Sequence, residues 1–197
     1  MLKIGITGGM GSGKSTVCNI FRNLGVPIFT SDVEGKRLLN YDSSTIKQIK
    51  EAFGEDMYTS EGLIDSRRMG QLVFNSPRDL ERLNGIIHPK VKWAFEEWTE
   101  THQQKPYIIK EAAILFETGY YQHLDKIINV FAPKEQRIQR IVKRDNSTVE
   151  HVERRMHFQF TDEVRNEMAD FIILNEDNRQ YDLLPQVMEL HEVFLNS

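Results

Sequence analysis

Five glycines, one lysine and four hydroxyl side chains crowd residues 5–16, GITGGMGSGKST, a composition suited to holding an anion with backbone alone. Gly8, four intervening residues, then Gly13, Lys14 and Ser15 fit G-x-x-x-x-G-K-[ST]. Before the stretch, Leu2, Ile4 and Ile6 read as a short strand; after it, Val17, Ile20 and Phe21 have helical spacing. Strand, glycine loop and helix together form a nest of N–H groups at a helix N-terminus, where a phosphate chain can sit. Lys14, read as a charge on the loop surface, would reach the β- and γ-phosphates, and the Ser15 hydroxyl would ligate Mg²⁺. The competing reading, a glycine-rich turn with a solvated lysine, does not account for the flanking elements. A nucleoside triphosphate is the anion implied.

Phosphoryl transfer also needs an acceptor partner and positive charge. Asp32, just after a second apolar run, sits where it could accept or orient the acceptor hydroxyl's proton; equally, it could N-cap the helix that follows. Glu111 lies towards the end of an apolar run in PYIIKEAAILFE, where a carboxylate is costly unless paired or hydrogen-bonded, so Mg²⁺, directly or through water, or else Lys110 or another nearby base, should pair with it. Glu117 closes the same segment as a possible loop cap. Arg137, Arg140 and Arg144 stand at i, i+3 and i+7 and should share a helix face, either towards phosphates or towards solvent. Arg154, Arg155 and Gln159 extend this basic stretch, whose composition suits a mobile lid. His88-Pro89 reads as a turn between two helices rather than as acid–base machinery. The remaining histidines have no zinc-ligand spacing.

The elements that must position these groups alternate. Strands are expected at 2–6, 26–29, 107–114, 126–131 and 170–174, each a short apolar run suited to a parallel sheet covered on both faces. Helical patterns occupy 14–24, 134–144, 149–160 and about 179–195. Between Asp32 and Gln103 lie several more, interrupted at Gly54, at Ser60-Glu61-Gly62, at Ser76-Pro77 and at His88-Pro89. This is an α/β pattern with right-handed crossovers. A core of about 1–31, 104–133 and 161–197 is expected, with an inserted helical substrate subdomain at about 32–103 and a lid at about 134–160.

At 197 residues, 40% hydrophobic and 27% charged, the chain can bury a full core and reads as ordinary globular protein. No run is apolar enough to span a membrane and no leader precedes the first strand. A single cysteine, Cys18, points to a reducing cytoplasm. A net charge of −4 argues against general nucleic-acid binding. Yet residues 134–157 hold seven basic and four acidic side chains, against two and nine from 158 onwards, so positive charge is local.

Over nearly its full length the sequence resembles the dephospho-coenzyme A kinase family. The segments that carry the likeness are IGITGGMGSGKST, SDVEGKRLL, LNGIIHPKV, ILFETG, RIQRIVKRDNST, RRMHFQ and ADFIILN. The resemblance implies a nucleoside-monophosphate-kinase-type fold, a five-stranded parallel P-loop core with substrate subdomain and lid. It implies transfer of the ATP γ-phosphoryl to the 3′-hydroxyl of dephospho-CoA, with Mg²⁺ and with no obligatory protein partner. Residue by residue, it assigns Lys14, Asp32 and Arg140 to catalysis. Gly9, Gly11, Ser12, Gly13, Lys14, Ser15, Thr16, Arg140, Arg144 and Asn175 would bind ATP, with Asn175 opening the loop beside the adenine. Thr7, Asp32, Lys36, His88, Glu111, Leu115 and Arg155 would serve the acceptor, and Ser15 and Glu111 the metal. Two positions depart from the family pattern. Thr30 replaces the first acid of Asp-x-Asp, and Glu111 and Ala113 stand where Asp and Pro are usual. A kinase acting on a nucleoside or nucleoside monophosphate is the nearest rival. A GTP switch would need Asn-Lys-x-Asp, which does not occur. A non-catalytic nucleotide sensor leaves Asp32, Glu111 and the arginines unexplained.

Overall fold

Strand β1 (Leu2–Thr7) alternates Leu2, Ile4 and Ile6 with polar or small residues, yet Ile4, Gly5, Ile6 and Thr7 are all buried, as in a strand covered on both faces. The structure, a computed structural model, describes residues 1–177 and 183–197. After β1 come α1 (Lys14–Asn23), β2 (Ile28–Thr30), α2 (Ser31–Tyr41), α3 (Ser43–Phe53), α4 (Ser66–Val73) and α5 (Pro77–Glu100). The chain continues with β3 (Tyr107–Glu111), β4 (Lys126–Phe131), α6 (Lys134–Asp145), α7 (Val149–Met156), α8 (Asp162–Met168), β5 (Phe171–Leu174) and α9 (Leu183–Leu195). The start of the last expected helix, 179–182, lies outside the described residues.

The strands form one sheet in the order β2-β3-β1-β4-β5, with β1 parallel to β3 and β4, and β4 parallel to β5. Register sets Ile6 against Glu111 and Thr7 against Asn129, so their carboxyl ends line up beside the loop that leaves β1. Ile4, Ile6, Ile109, Ile128 and Val130 pack with Val17 and Phe21 of α1 and Val187, Leu190 and Phe194 of α9. No described helix is long and apolar enough to cross a membrane.

By backbone proximity the chain divides into two compact units, Met1–Phe29 with His102–Ser197, and Thr30–Thr101. The second is helical around its own core of Ile49, Met57, Ile64, Met69 and Val73.

Several boundaries differ from the sequence reading. β2 begins at Ile28 because Gly25 (φ 83°) and Val26 close α1, their N–H groups donating to Arg22 and Phe21 carbonyls. β3 stops at Glu111, since the apolar residues beyond it leave the sheet: Ala112, Leu115 and Phe116 build a separate cluster with Ile127. The expected break at His88-Pro89 is absent. Pro89 lies inside α5, where it forfeits the bond to the Gly85 carbonyl, but packing on both sides carries the helix through. Leu80, Leu83 and Ile86 pack on the helical core before it, and Val91 and Phe95 are buried after it. The single pattern at 149–160 is in fact α7 alone, ending at Met156. A further helix, α8, follows a Thr161 cap that accepts from the Val164 N–H.

Candidate active site

Side chains cap most of the helices: Asp42, Asp65, Ser76, Thr148 and Thr161 each accept an N–H at the start of α3, α4, α5, α7 and α8. Helix α1 has no such cap and no acidic residue in its first turn. No side chain of the helix's own start therefore opposes the positive end of its dipole, which favours an anion. The cap position is Gly13 at φ 94°, left-handed backbone that favours glycine, and a Cβ there would collide with the Asn175 amide.

Lys14 corrects the sequence reading of a loop-surface charge. It is 8% exposed, and its Nζ donates to the Gly8 carbonyl at 2.9 Å and lies 3.5 Å from that of Gly9. The ammonium is thereby held at the mouth of the loop. Ser15 and Thr16 are exposed on the first turn of α1, whereas Ser12 is buried.

The loop is braced from distant parts of the chain. Asn175, buried after β5, donates to the Ser12 carbonyl at 2.7 Å, so its amide is committed to the loop. Gln159 accepts from the Met10 N–H at 2.8 Å and donates to the Ala113 carbonyl at 2.7 Å, tying together the segments that follow β1 and β3. Glu117 reaches beyond its own segment and accepts from the Phe160 N–H at 2.7 Å.

The three arginines do not form an open stripe, because each already faces a carboxylate of the chain. Arg137 is buried and reaches Asp162 at 2.5 Å; burial lowers its pKa and Asp162 opposes that shift. Arg140 is half-buried. It bonds Asp177 at 2.6 Å, the Asn175 carbonyl at 2.9 Å and the Gly11 carbonyl at 3.4 Å. Arg144 is exposed and forms a fork on Asp145 at 2.6 and 2.9 Å, holding that carboxyl below the usual range. Arg155 approaches the same carboxylate at 3.8 Å. Arg140, Arg144 and Arg155 thus hold protein anions in places that a polyanion could take over.

Glu111 is buried at the carboxyl end of β3. Its charge is felt one turn into α1: burial first, then Glu111, pushes the Cys18 thiol up to about 12, with Arg22 and Lys14 opposing. Cys18 is therefore an inert core thiol. Lys110 points to the other face of the strand, its Nζ 4.7 Å from the Phe29 ring centroid and 4.5 Å from that of Tyr120. Thr7 is buried at the end of β1. Leu115 is 1% exposed and packs with Ala112, Phe116 and Ile127; with its side chain in this core, only its backbone is left for a ligand.

Asp32, Lys36 and His88 belong to the helical unit. Asp32 is not the N-cap of α2; the cap position is Thr30, and Asp32 is exposed in the first turn, one turn before exposed Lys36. Burial lowers the His88 pKa from its ordinary value, disfavouring the charged imidazolium. Sequence reasoning missed Asp162, Arg165 and Asp177. Thr161-Asp162-Glu163 carried a readable helix-start signal, but nothing local paired these residues with Arg137 or Arg140.

The family model described as dephospho-CoA kinase matches residues 2–180. A dephospho-CoA kinase from Bacteroides fragilis is 38% identical over 189 residues, covering 96% of this chain and 91% of the relative. Among solved structures, a Thermus thermophilus protein superimposes with a TM-score of 0.85 at 28% identity, covering 98% and 97% of the two chains. A dephospho-CoA kinase from Campylobacter jejuni gives a TM-score of 0.70 at 26% identity, covering 96% and 95%.

Proposed function

Because the chain belongs to the dephospho-CoA kinase family, we propose that it transfers the γ-phosphoryl of ATP to the ribose 3′-hydroxyl of dephospho-CoA. The products are CoA and ADP, in the last step of coenzyme A synthesis. The observation that carries the reading is the uncapped N-terminus of α1, which presents backbone donors beside the Lys14 ammonium. ATP phosphates take the place of the Gly8 and Gly9 carbonyls at Lys14 Nζ. Arg140, Arg144 and Arg155 exchange Asp177 and Asp145 for phosphoryl oxygens, which supports charge as it spreads during transfer. The segment 134–160 acts as the lid and the helical unit carries the acceptor. Asp32 takes the proton of the attacking hydroxyl; the new bond joins the 3′-oxygen to phosphorus, and the β–γ bridging oxygen leaves with ADP.

The Ser15 hydroxyl and the Glu111 carboxylate fit Mg²⁺, a hard cation that takes oxygen donors. Ser15 and Glu111 would hold the ion, and it would supply charge neutralisation to the phosphates. Among the described residues no three His, Cys, Asp or Glu side chains cluster as a cage, and a magnesium ion that is shared with phosphates and water needs none. A cytoplasmic setting belongs to the same reading, with the lone buried Cys18 as its support. ATP labelled in its γ-phosphoryl, incubated with dephospho-CoA, tests the assignment. Label on the 3′-oxygen of CoA is the expected result; label released only as inorganic phosphate would overturn it.

A further inference from the structure

Gly9 presents a puzzle within the loop. Unlike Gly8, Gly11 and Gly13, it does not have a positive φ, so the left-handed backbone that favours glycine is not its reason. What rules out a side chain is space: a Cβ at Gly9 would collide with the Arg137 guanidinium and stand 2.9 Å from Arg165 Nη2. Both arginines are almost fully buried and share one carboxylate. Arg137 Nη2 meets one oxygen of Asp162 at 2.5 Å and Arg165 Nη2 meets the other. The two are anchored further by main chain, Arg137 Nε on the Ala132 carbonyl at 2.9 Å and Arg165 Nη1 on that of Phe160. Two guanidiniums against one carboxylate leave one net positive charge, buried directly behind the residue whose carbonyl faces Lys14.

We propose that Arg137, held by Asp162, whose other oxygen Arg165 fixes, is a positioning residue that braces the phosphate loop, and that residue 9 is glycine to admit its guanidinium. This rests on the reading of the loop as the ATP site, and it adds what the motif does not contain. In the motif, the position of Gly9 is unconstrained. In this chain the constraint comes from a residue 128 positions away. The brace also lends the loop a fixed positive charge that water screens less than one at the surface.

Binding of β,γ-imido ATP with Mg²⁺, read by calorimetry beside the melting temperature, tests the brace on Gly9→Ala, Arg137→Ala and the double variant. Gly9→Ala alone should weaken binding ~10-fold or more, within the coupling range of residues in contact. In the Arg137→Ala background the same change should cost less than ~3-fold, because the space is then open and Arg165 needs to give only slightly. A merely structural arginine would lower the melting temperature without rescuing Gly9→Ala. Equal losses in both backgrounds would overturn the proposal and return Gly9 to close approach of a phosphate. If Arg137→Ala does not fold, Arg137→Gln, shorter and still a donor, carries the same comparison. A wild type that binds no ATP analogue would take down the nucleotide reading along with the brace. Tight wild-type binding with uncoupled losses would take down the brace alone.

Discussion

On the proposed function, replacing Lys14 by alanine removes a transition-state charge as well as a buried hydrogen bond, and the two losses are separable. Lys14 Nζ donates to the Gly8 carbonyl at 2.9 Å from a side chain that is 8% exposed. A hydrogen bond to a charged group contributes ~1.5–3 kcal/mol. Alanine at the first position of α1 has no propensity penalty, and no buried ammonium is left behind, so the lower half of that range applies. At ~2–4 °C per kcal/mol for a chain of this size, melting should fall by roughly 3–9 °C. Turnover should fall much further, by ~10²–10³-fold, the usual cost of removing one preorganised donor from developing charge. The assays are thermal melting and acceptor-dependent ADP release on the same preparation. A folded Lys14→Ala protein within a few-fold of wild-type turnover would refute the loop's catalytic assignment. Unchanged melting would refute the buried hydrogen bond.

Arg140→Lys and Arg144→Lys should both lower turnover, since an ammonium cannot reproduce the fork each makes on Asp177 or Asp145; full activity would mark these forks as surface pairs. Hydrogen exchange across residues 144–157 should slow when an ATP analogue is added, and an unchanged rate would remove the lid. Asp32→Asn should cut turnover by ~10²–10⁴-fold with ATP affinity nearly unchanged; because the cap of α2 is Thr30, melting should also hold, and an active variant would free Asp32 from the hydroxyl. Asp42 is held down at about 2 by the Thr45 hydroxyl, then Lys90, then the Thr45 N–H. A depressed carboxyl stabilises above its unfolded pKa of ~3.9 and loses that contribution as pH falls through the folded value. The stability gap between wild type and Asp42→Asn, which keeps the cap, should therefore shrink from ~pH 4 towards pH 2. A constant gap would show that charge at Asp42 plays no part.

What could be read from sequence was local. Strand, glycine loop and helix occur in one run, so β1, the loop and α1 were legible with their ligand. The five strands were legible as apolar runs. Their ends were less so, because Val26 serves a helix cap and Leu115 a satellite core, and an apolar side chain does not state which neighbour buries it. Pro89 misled for the same reason: packing along α5 outweighs one lost backbone bond. Thr161 could have announced α8, had caps been weighed against the run of apolar and basic residues before it. The arginines were read by periodicity alone, which places them on a helix but cannot supply Asp162, Asp145 and Asp177 as partners. The collision between Gly9 and Arg137 depends wholly on the fold.

The acceptor is what separates this reaction from that of other small-molecule kinases. ADP release from Mg-ATP should be measured against dephospho-CoA, AMP, CMP, nucleosides and shikimate at equal concentrations. Release that depends on dephospho-CoA, at a rate far above every other acceptor and lost in Lys14→Ala, is the predicted result. Faster release with a nucleoside monophosphate, or a rate indifferent to any acceptor, would contradict it.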